Sequence, residues 1–254
     1  MPEENRLGGR VALITGAGRG IGREIALAYA QAGAEVILMA RNEREVTAVG
    51  DEIAAAGGRA VALAGDVSIE DDVHRVVKSA LDEFGYVDVL VNNAGVTPGA
   101  AGRPIRDLLD VTTDFWDLTF AVNCRGAFLM TRALLPTMLQ RGSGVVISIT
   151  SRLSRRAIAG NAPYGPSKAA LELFTGVVHA EFSDRGVRAH ILHPGGPVAT
   201  SIFTDYYQPT SIAELASPSV IREAAVWLAS ADAASVGGQV IDARVWNAEH
   251  TEPG

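Results

Sequence analysis

At 254 residues, 48% hydrophobic and 20% charged, the chain can bury a large core as one α/β domain. A net charge of −7 with no basic block argues against a nucleic-acid partner, and no apolar run is long enough to cross a membrane. The single cysteine, Cys124, excludes an intramolecular disulfide and suits a reducing cytoplasm; the acidic start is not expected to be a signal peptide, and the five histidines form no metal-ligand spacing.

In chain order, Val11-Ala12-Leu13-Ile14 reads as a buried parallel strand running into a glycine-dense turn and then the helix former Arg23-Glu24-Ile25-Ala26-Leu27-Ala28-Tyr29-Ala30. Glycines let backbone approach a pyrophosphate, and free N–H groups at a helix start supply donors and a positive dipole end. The turn carries Gly16, Gly18, Gly20 and Gly22, a spacing that fits neither G-x-G-x-x-G nor the lysine-containing P-loop. Taken alone it reads equally well as a tight turn with no ligand.

Glu35 to Ala40 is a second strand with Arg41 at its carboxyl end, and Asn42 with Glu45 forms a capping box for a helix through Ala56. Arg59 to Ala64 is a third strand. Ser68 is expected to cap a helix whose Val73, Val76, Val77, Ala80, Leu81 and Phe84 follow a 3.6-residue period, closed by Gly85. Val87 to Val91 is a fourth strand leading into Asn92-Asn93-Ala94-Gly95. An irregular loop, Thr97 to Val111, precedes a long helix from about Thr113 to Gln140. Val145 to Ile149 is a fifth strand with Ser151 just beyond it, and Tyr164 to Lys168 opens a helix ending near Gly186. Val187 to Leu192 is a sixth strand, followed by a turn at Pro194, a lid-like segment over roughly Thr200 to Pro218, a last helix capped by Ser219, and a seventh strand from Gly238 to Ile241. This alternation predicts a doubly wound parallel sheet of about seven strands with helices on both faces, in one domain spanning 1–254.

In such a sheet ligands collect at the carboxyl ends of the strands. Thr15, Arg41, Asp66, Asn93, Ser151 and the turn at Pro194 all fall at those ends, which favours the phosphate-cradle reading of the glycine turn. Tyr164 and Lys168, four apart, share a helix face. With Thr15-Gly16-x-x-x-Gly20-x-Gly22, Asn92-Asn93-Ala94-Gly95, Asn123, Ser151 and Tyr164-x-x-x-Lys168 in order, and Ser151 preceding Tyr164 by 13 residues, the chain resembles the classical short-chain dehydrogenases/reductases from Arg10 to about Ile241.

That resemblance implies a Rossmann-type oxidoreductase that interconverts a ketone and a secondary alcohol with a nicotinamide coenzyme. It makes Tyr164 the general acid/base, Ser151 the group that orients the carbonyl, Lys168 the holder of the nicotinamide ribose, and Asn123 the anchor of a proton-relay water. A phenol with a reference pKa near 10 needs a cation to trade protons near neutrality. Lys168 at about 4 Å, in an effective dielectric of about 20, would favour the phenolate by about 4 kcal/mol, or about 3 pKa units.

The same resemblance assigns the coenzyme to Thr15, Gly16, Gly18, Arg19, Gly20, Ile21 and Gly22. Asp66 and Val67 would border the adenine, Asn93, Ala94 and Gly95 would line the coenzyme, and Pro194, Gly195, Val198 and Thr200 would close its nicotinamide end. Family members that use NAD usually carry an acidic residue where this chain has Ala40. With Arg41 beside it and Arg19 in the turn, both able to fork onto a 2′-phosphate, the expectation is NADP(H) in preference to NAD(H).

The substrate is expected between Ser151, Tyr164 and the lid, walled by Thr97, Leu153, Ile158, Gly196, Phe203, Tyr206 and Tyr207. A 3-oxoacyl thioester is one candidate; a sugar, polyol or steroid-like alcohol is another, and a non-catalytic NADP(H) sensor is the rival from a different class. Arg152, Arg155 and Arg156 could steer an anionic substrate or simply face solvent or an interface. The family also implies a homo-oligomer, a tetramer or dimer, built partly from the two long helices. Four features depart from the pattern: an extra residue in Pro194 to Thr200, His190 where Asn is common, Pro166 inside the Tyr-Lys motif, and Ile241-Asp242-Ala243-Arg244 where a Gly-Gly usually follows.

Overall fold

A computed structural model describes residues 5–97, 107–200, 215–233 and 235–250. Seven strands form one parallel sheet in the order β3-β2-β1-β4-β5-β6-β7. They are β1 (Val11–Thr15), β2 (Glu35–Ala40), β3 (Ala60–Ala64), β4 (Val89–Asn92), β5 (Gly144–Ile149), β6 (Val187–His193) and β7 (Val240–Asp242). The order reverses between β3-β2-β1 and β4-β5-β6, so β1 and β4 diverge into loops on opposite sides and open a crevice at their carboxyl ends.

Both faces of the sheet are buried, which is why its strands are continuously apolar rather than alternating. On one face Ile14, Leu38, Val91, Ile147 and Leu192 pack against helix α1 (Gly20–Gln31), helix α2 (Glu43–Ala55) and helix α7 (Arg222–Ala229). Tyr29 is fully buried there and its hydroxyl donates to the Ala225 carbonyl at 3.0 Å. On the other face Leu13, Ile37, Met39, Leu90 and Val146 meet α3 (Glu70–Phe84), α5 (Gly126–Arg141) and α6 (Tyr164–Phe182). The parallel register fixes the site: Thr15 pairs with Met39 and Ser148 with Asn92, bringing the functional loops to one edge.

Several local expectations are corrected. The expected long helix is α4 (Thr113–Phe120) and α5 joined by a π turn over Ala121–Arg125, and Asn123 sits in that turn. Asn42 occupies the N-cap of α2 without a side-chain capping bond. Ile69, not Ser68, caps α3, because the Ser68 hydroxyl donates to Asp66 Oδ1 at 2.7 Å instead. Ser219 falls within a 3₁₀ turn, Pro218–Ile221, capped by Ser217. A further helix, α8 (Ala243–His250), follows β7. Asp242 starts it by accepting from the Arg244 N–H at 3.0 Å, where the family pattern commonly has Gly-Gly. Pro166 lies in the first turn of α6, where its missing N–H has no helical partner to lose.

Candidate active site

A cleft of about 700 Å³ runs across the carboxyl ends of the strands, from the glycine turn to the start of α6. Its floor is a set of backbone approaches that side chains would block. Gly16 has φ +66, and a Cβ there would stand 2.9 Å from the Ala94 Cα; a Cβ on Gly22 would strike the Gly16 carbonyl oxygen. Thr15 stitches the turn to the next loop, donating to the Val91 carbonyl at 3.2 Å and accepting the Asn93 and Ala94 N–H groups at 3.0 and 3.1 Å. The Asn93 amide returns the bond, donating to the Thr15 carbonyl at 2.8 Å. The first turn of α1 has no acidic residue and no side-chain cap, so its N–H groups and positive dipole end are left for an anion. These residues fit a dinucleotide pyrophosphate.

Arg19, Arg41 and Asp66 line the far end of the cleft, with Ala40 beside them. Arg41 is largely exposed and its guanidinium lies 3.9 Å from Asp66. Glu45 lines the same end, and its side chain packs on Gly18, whose Cβ would stand 2.7 Å from the Glu45 Cβ.

At the near end, Ser151, Tyr164 and Lys168 come together. Ser151 begins a 3₁₀ turn, Arg152–Arg155, that is held from beneath by Glu172, one helical turn after Lys168: Ser154 Oγ lies 2.6 Å from its Oε1, and Arg155 Nε donates to its Oε2 at 2.9 Å. Lys168 is 4% exposed, donates from Nζ to the Ile149 carbonyl at 2.9 Å and lies 5.9 Å from the centre of the Tyr164 ring. Burial lowers its pKa from 10.5 to about 8. The expected acidification of the phenol is not found. Burial raises the Tyr164 pKa and the Ser151 hydroxyl only partly offsets this, while the Lys168 ammonium donates to the Ile149 carbonyl.

Asn123 is 1% exposed and faces protein on all sides. Its Nδ2 donates to the Val96 carbonyl and to Ser167 Oγ, both at 2.9 Å, and its Oδ1 accepts the Val96 N–H at 2.6 Å. Ser167 in turn donates to the Tyr164 carbonyl at 2.7 Å. The π turn is what points this amide between β4 and α6.

Most of the sequence-predicted residues line the cleft, including Ile21, Val67, Gly95, Pro194, Gly196, Val198, Thr200, Thr97 and Leu153. Four do not. Asn123 is buried in the π turn away from the cleft, Thr15 lies behind the turn it braces, Gly195 (φ +79) backs onto Asp242 and Arg244, and Ile158 points outward at 43% exposure. Phe203, Tyr206 and Tyr207, with most of the expected lid, lie outside the described residues. The loop with the extra residue is fastened by Ala199 N–H to the Ala216 carbonyl at 2.9 Å and by Arg244 Nη2 to the Pro197 carbonyl at 3.1 Å. Arg152 lies 3.8 Å from Asp242, and Arg155 is ion-paired with Glu172 at 2.9 Å. His190 is fully buried, and burial lowers its pKa to about 4, so it packs as a neutral ring. Sequence reasoning missed Glu45, Thr150 and Asn161 as cleft residues.

Among the described residues no helix is long and apolar enough to cross a membrane, and no cluster of His, Cys, Asp or Glu could hold a metal. Comparison with known proteins places the chain among relatives. A model of the short chain dehydrogenase family matches residues 10–210. An uncharacterised oxidoreductase of Mycobacterium tuberculosis is 36% identical over 247 residues, covering 93% of this chain and 91% of the relative. A candidate NAD(P)-dependent gluconate 5-dehydrogenase of Beutenbergia cavernae, solved with bound NADP at low occupancy, superposes with a TM-score of 0.85 at 35% identity, covering 93% of this chain and 96% of that one. The 3-ketoacyl-(acyl-carrier-protein) reductase of Brucella melitensis, solved with NADH, superposes with a TM-score of 0.85 at 32% identity, covering 93% and 97%.

Proposed function

The chain belongs to the short chain dehydrogenase family of oxidoreductases acting on CH–OH and C=O groups, and from that premise we propose that it is an NADP(H)-dependent enzyme interconverting a ketone and a secondary alcohol. The observation that carries this reading is the grouping of Ser151, Tyr164 and Lys168 at one end of a cleft whose other end is a bare-backbone cradle. A nicotinamide coenzyme, when bound, supplies the hydride. Tyr164 gives the proton to the developing alkoxide in reduction and takes it back in oxidation; its raised pKa keeps it protonated at neutral pH, which suits reduction. Ser151 donates to the carbonyl oxygen. Lys168 holds positive charge below the phenol at neutral pH, and Asn123 is a positioning residue that ties the Val96 loop to the Tyr164 turn.

The preference for NADP(H) rests on Ala40, Arg41 and Arg19 at the adenosine end, where no carboxylate ends β2. In our reading residues 1–254 form one nucleotide-binding domain whose 200–218 segment serves as the substrate lid, working in the cytoplasm as a homo-oligomer, a tetramer or dimer. The apolar side chains of Trp116, Phe128, Leu173 and Val177, all more than a third exposed on α4, α5 and α6, support self-association through those helices. Light scattering that shows a monomer would remove that element. Relatives named as a 3-oxoacyl-[acyl-carrier-protein] reductase and a gluconate 5-dehydrogenase support a 3-oxoacyl thioester and a polyhydroxylated compound as the two candidate substrate classes.

The test is a panel of ketones and alcohols followed at the nicotinamide absorbance band with each coenzyme. Turnover of at least one ketone, with higher kcat/KM for NADPH than NADH, is expected. Coenzyme binding without turnover of any carbonyl would favour the sensor, and equal or better use of NADH would overturn the coenzyme assignment.

A further inference from the structure

Asn161 stands out in the cleft wall because it is buried, polar and unused. It is 6% exposed and lines the cleft, three residues before Tyr164. Its backbone is fixed at both ends, the N–H donating to the Ile158 carbonyl at 3.3 Å and the carbonyl accepting the Gly165 N–H at 2.8 Å. Its carboxamide makes no hydrogen bond to any described residue. The contrast with its neighbours is sharp: Asn93, Asn123 and Ser167 all spend their side chains on protein partners. Its amide atoms are not sealed in the protein interior, and the cleft it lines is where a ligand group would meet them.

We propose that Asn161 is a specificity-determining residue whose carboxamide holds a hydroxyl of the substrate next to, or one carbon further from, the reacting carbonyl, so that the enzyme selects hydroxylated ketones and polyols over plain ketones. This deepens the ketone–alcohol reading above and rests on it.

Position argues for the substrate rather than the coenzyme. Asn161 belongs to the segment between Ser151 and Tyr164, at the opposite end of the cleft from Arg19, Arg41 and Asp66. Charge argues for a neutral group. Among the described residues the cations lining the cleft are Arg19 and Arg41 at the far end and Lys168, which is bonded to the Ile149 carbonyl; Arg152 and Arg155 are paired with Asp242 and Glu172. At the Ser151–Tyr164 end, Lys168 is the cation among the described residues that line the cleft. An amide offers both donor and acceptor, and a hydroxyl is the small neutral group that uses both at once.

The experiment compares matched pairs, butanone with acetoin and cyclohexanone with its α-hydroxy derivative, together with acetoacetyl-N-acetylcysteamine as a thioester probe. Each is measured for kcat/KM with wild type, Asn161→Ala and Asn161→Leu. Leucine keeps the side-chain volume and removes the polarity, and coenzyme affinity read by fluorescence reports that each variant is folded. A site built to bond a hydroxyl discriminates strongly against the analogue lacking it, so wild type should favour each hydroxy ketone over its parent by about tenfold or more. Both variants should bring that ratio to near one. Equal ratios in wild type and variants, or a wild-type preference for the plain ketone or the thioester, would overturn the assignment. Wild type that binds coenzyme yet reduces no member of the panel would instead sink the ketone–alcohol reading itself.

Discussion

Replacing Lys168 by methionine should make the protein easier to read thermodynamically, because the lysine is held where a charge is least welcome. Its pKa falls from 10.5 to about 8 on burial, a difference that corresponds to about 3 kcal/mol of native-state penalty at pH 7. The unfolded chain binds more protons than the native one between those two values. Wild-type stability therefore rises with pH from about 8 to about 10.5, and the full penalty is felt below 8. Lys168→Met removes the penalty and leaves the Ile149 carbonyl without its 2.9 Å donor, a loss of about 1–3 kcal/mol. At pH 7 the variant should be as stable as wild type or more so, by up to about 2 kcal/mol. At about pH 9.5 roughly 2 kcal/mol of the wild-type penalty is relieved, and wild type should overtake the variant. Urea unfolding of both proteins at the two pH values, at one protein concentration, measures the gap. A gap that does not change with pH would refute the claim that this lysine is buried at an energetic cost.

Three other outcomes follow from the same geometry. Glu45→Gln removes a carboxylate from the adenosine end of the cleft and should tighten NADP(H) binding about threefold or more while leaving NAD(H) nearly unmoved, as read by coenzyme fluorescence titration; equal effects on both would place Glu45 away from the 2′-phosphate. Gly22→Ala puts a methyl against the Gly16 carbonyl and should abolish binding of both coenzymes in the same titration, whereas Gly57→Ala, where a Cβ meets nothing within 4 Å, should leave binding intact despite its left-handed backbone. Asn123→Ala cuts the link from Val96 to Ser167 and should lower Tm and kcat together, with KM for coenzyme changing less, since the amide touches neither end of the cleft directly; loss confined to coenzyme KM would contradict a positioning role.

The sheet was legible because apolar runs such as Val36 to Met39 recur with helix-length spacers, and both faces of a parallel sheet demand that pattern. The site was legible where chemistry needs a particular residue at a particular strand end, as at Gly16, Ser151 and Lys168. What escaped was set by contacts distant in sequence. The π turn around Asn123 goes with bonds from that amide to the Val96 backbone, 27 residues away, a contact that no local propensity encodes. The lowered pKa expected of Tyr164 beside a cation gave way because the burial that encloses both side chains desolvates the phenol and raises it instead. Arg152 and Arg155 looked available until Asp242 and Glu172, 90 and 17 residues further on, folded against them. Asn161 was passed over because an unpartnered amide is visible only once its neighbours are seen to be satisfied.

The most direct measurement is the steady-state and single-turnover oxidation of NADPH by Tyr164→Phe with a ketone that wild type reduces. Loss of the proton donor should lower kcat by about a hundredfold or more, with coenzyme Kd within a few-fold of wild type, since only the hydroxyl is removed. A phenylalanine variant that turns over at the wild-type rate would show that the proton comes from elsewhere and that the grouping of Ser151, Tyr164 and Lys168 is not the reaction centre.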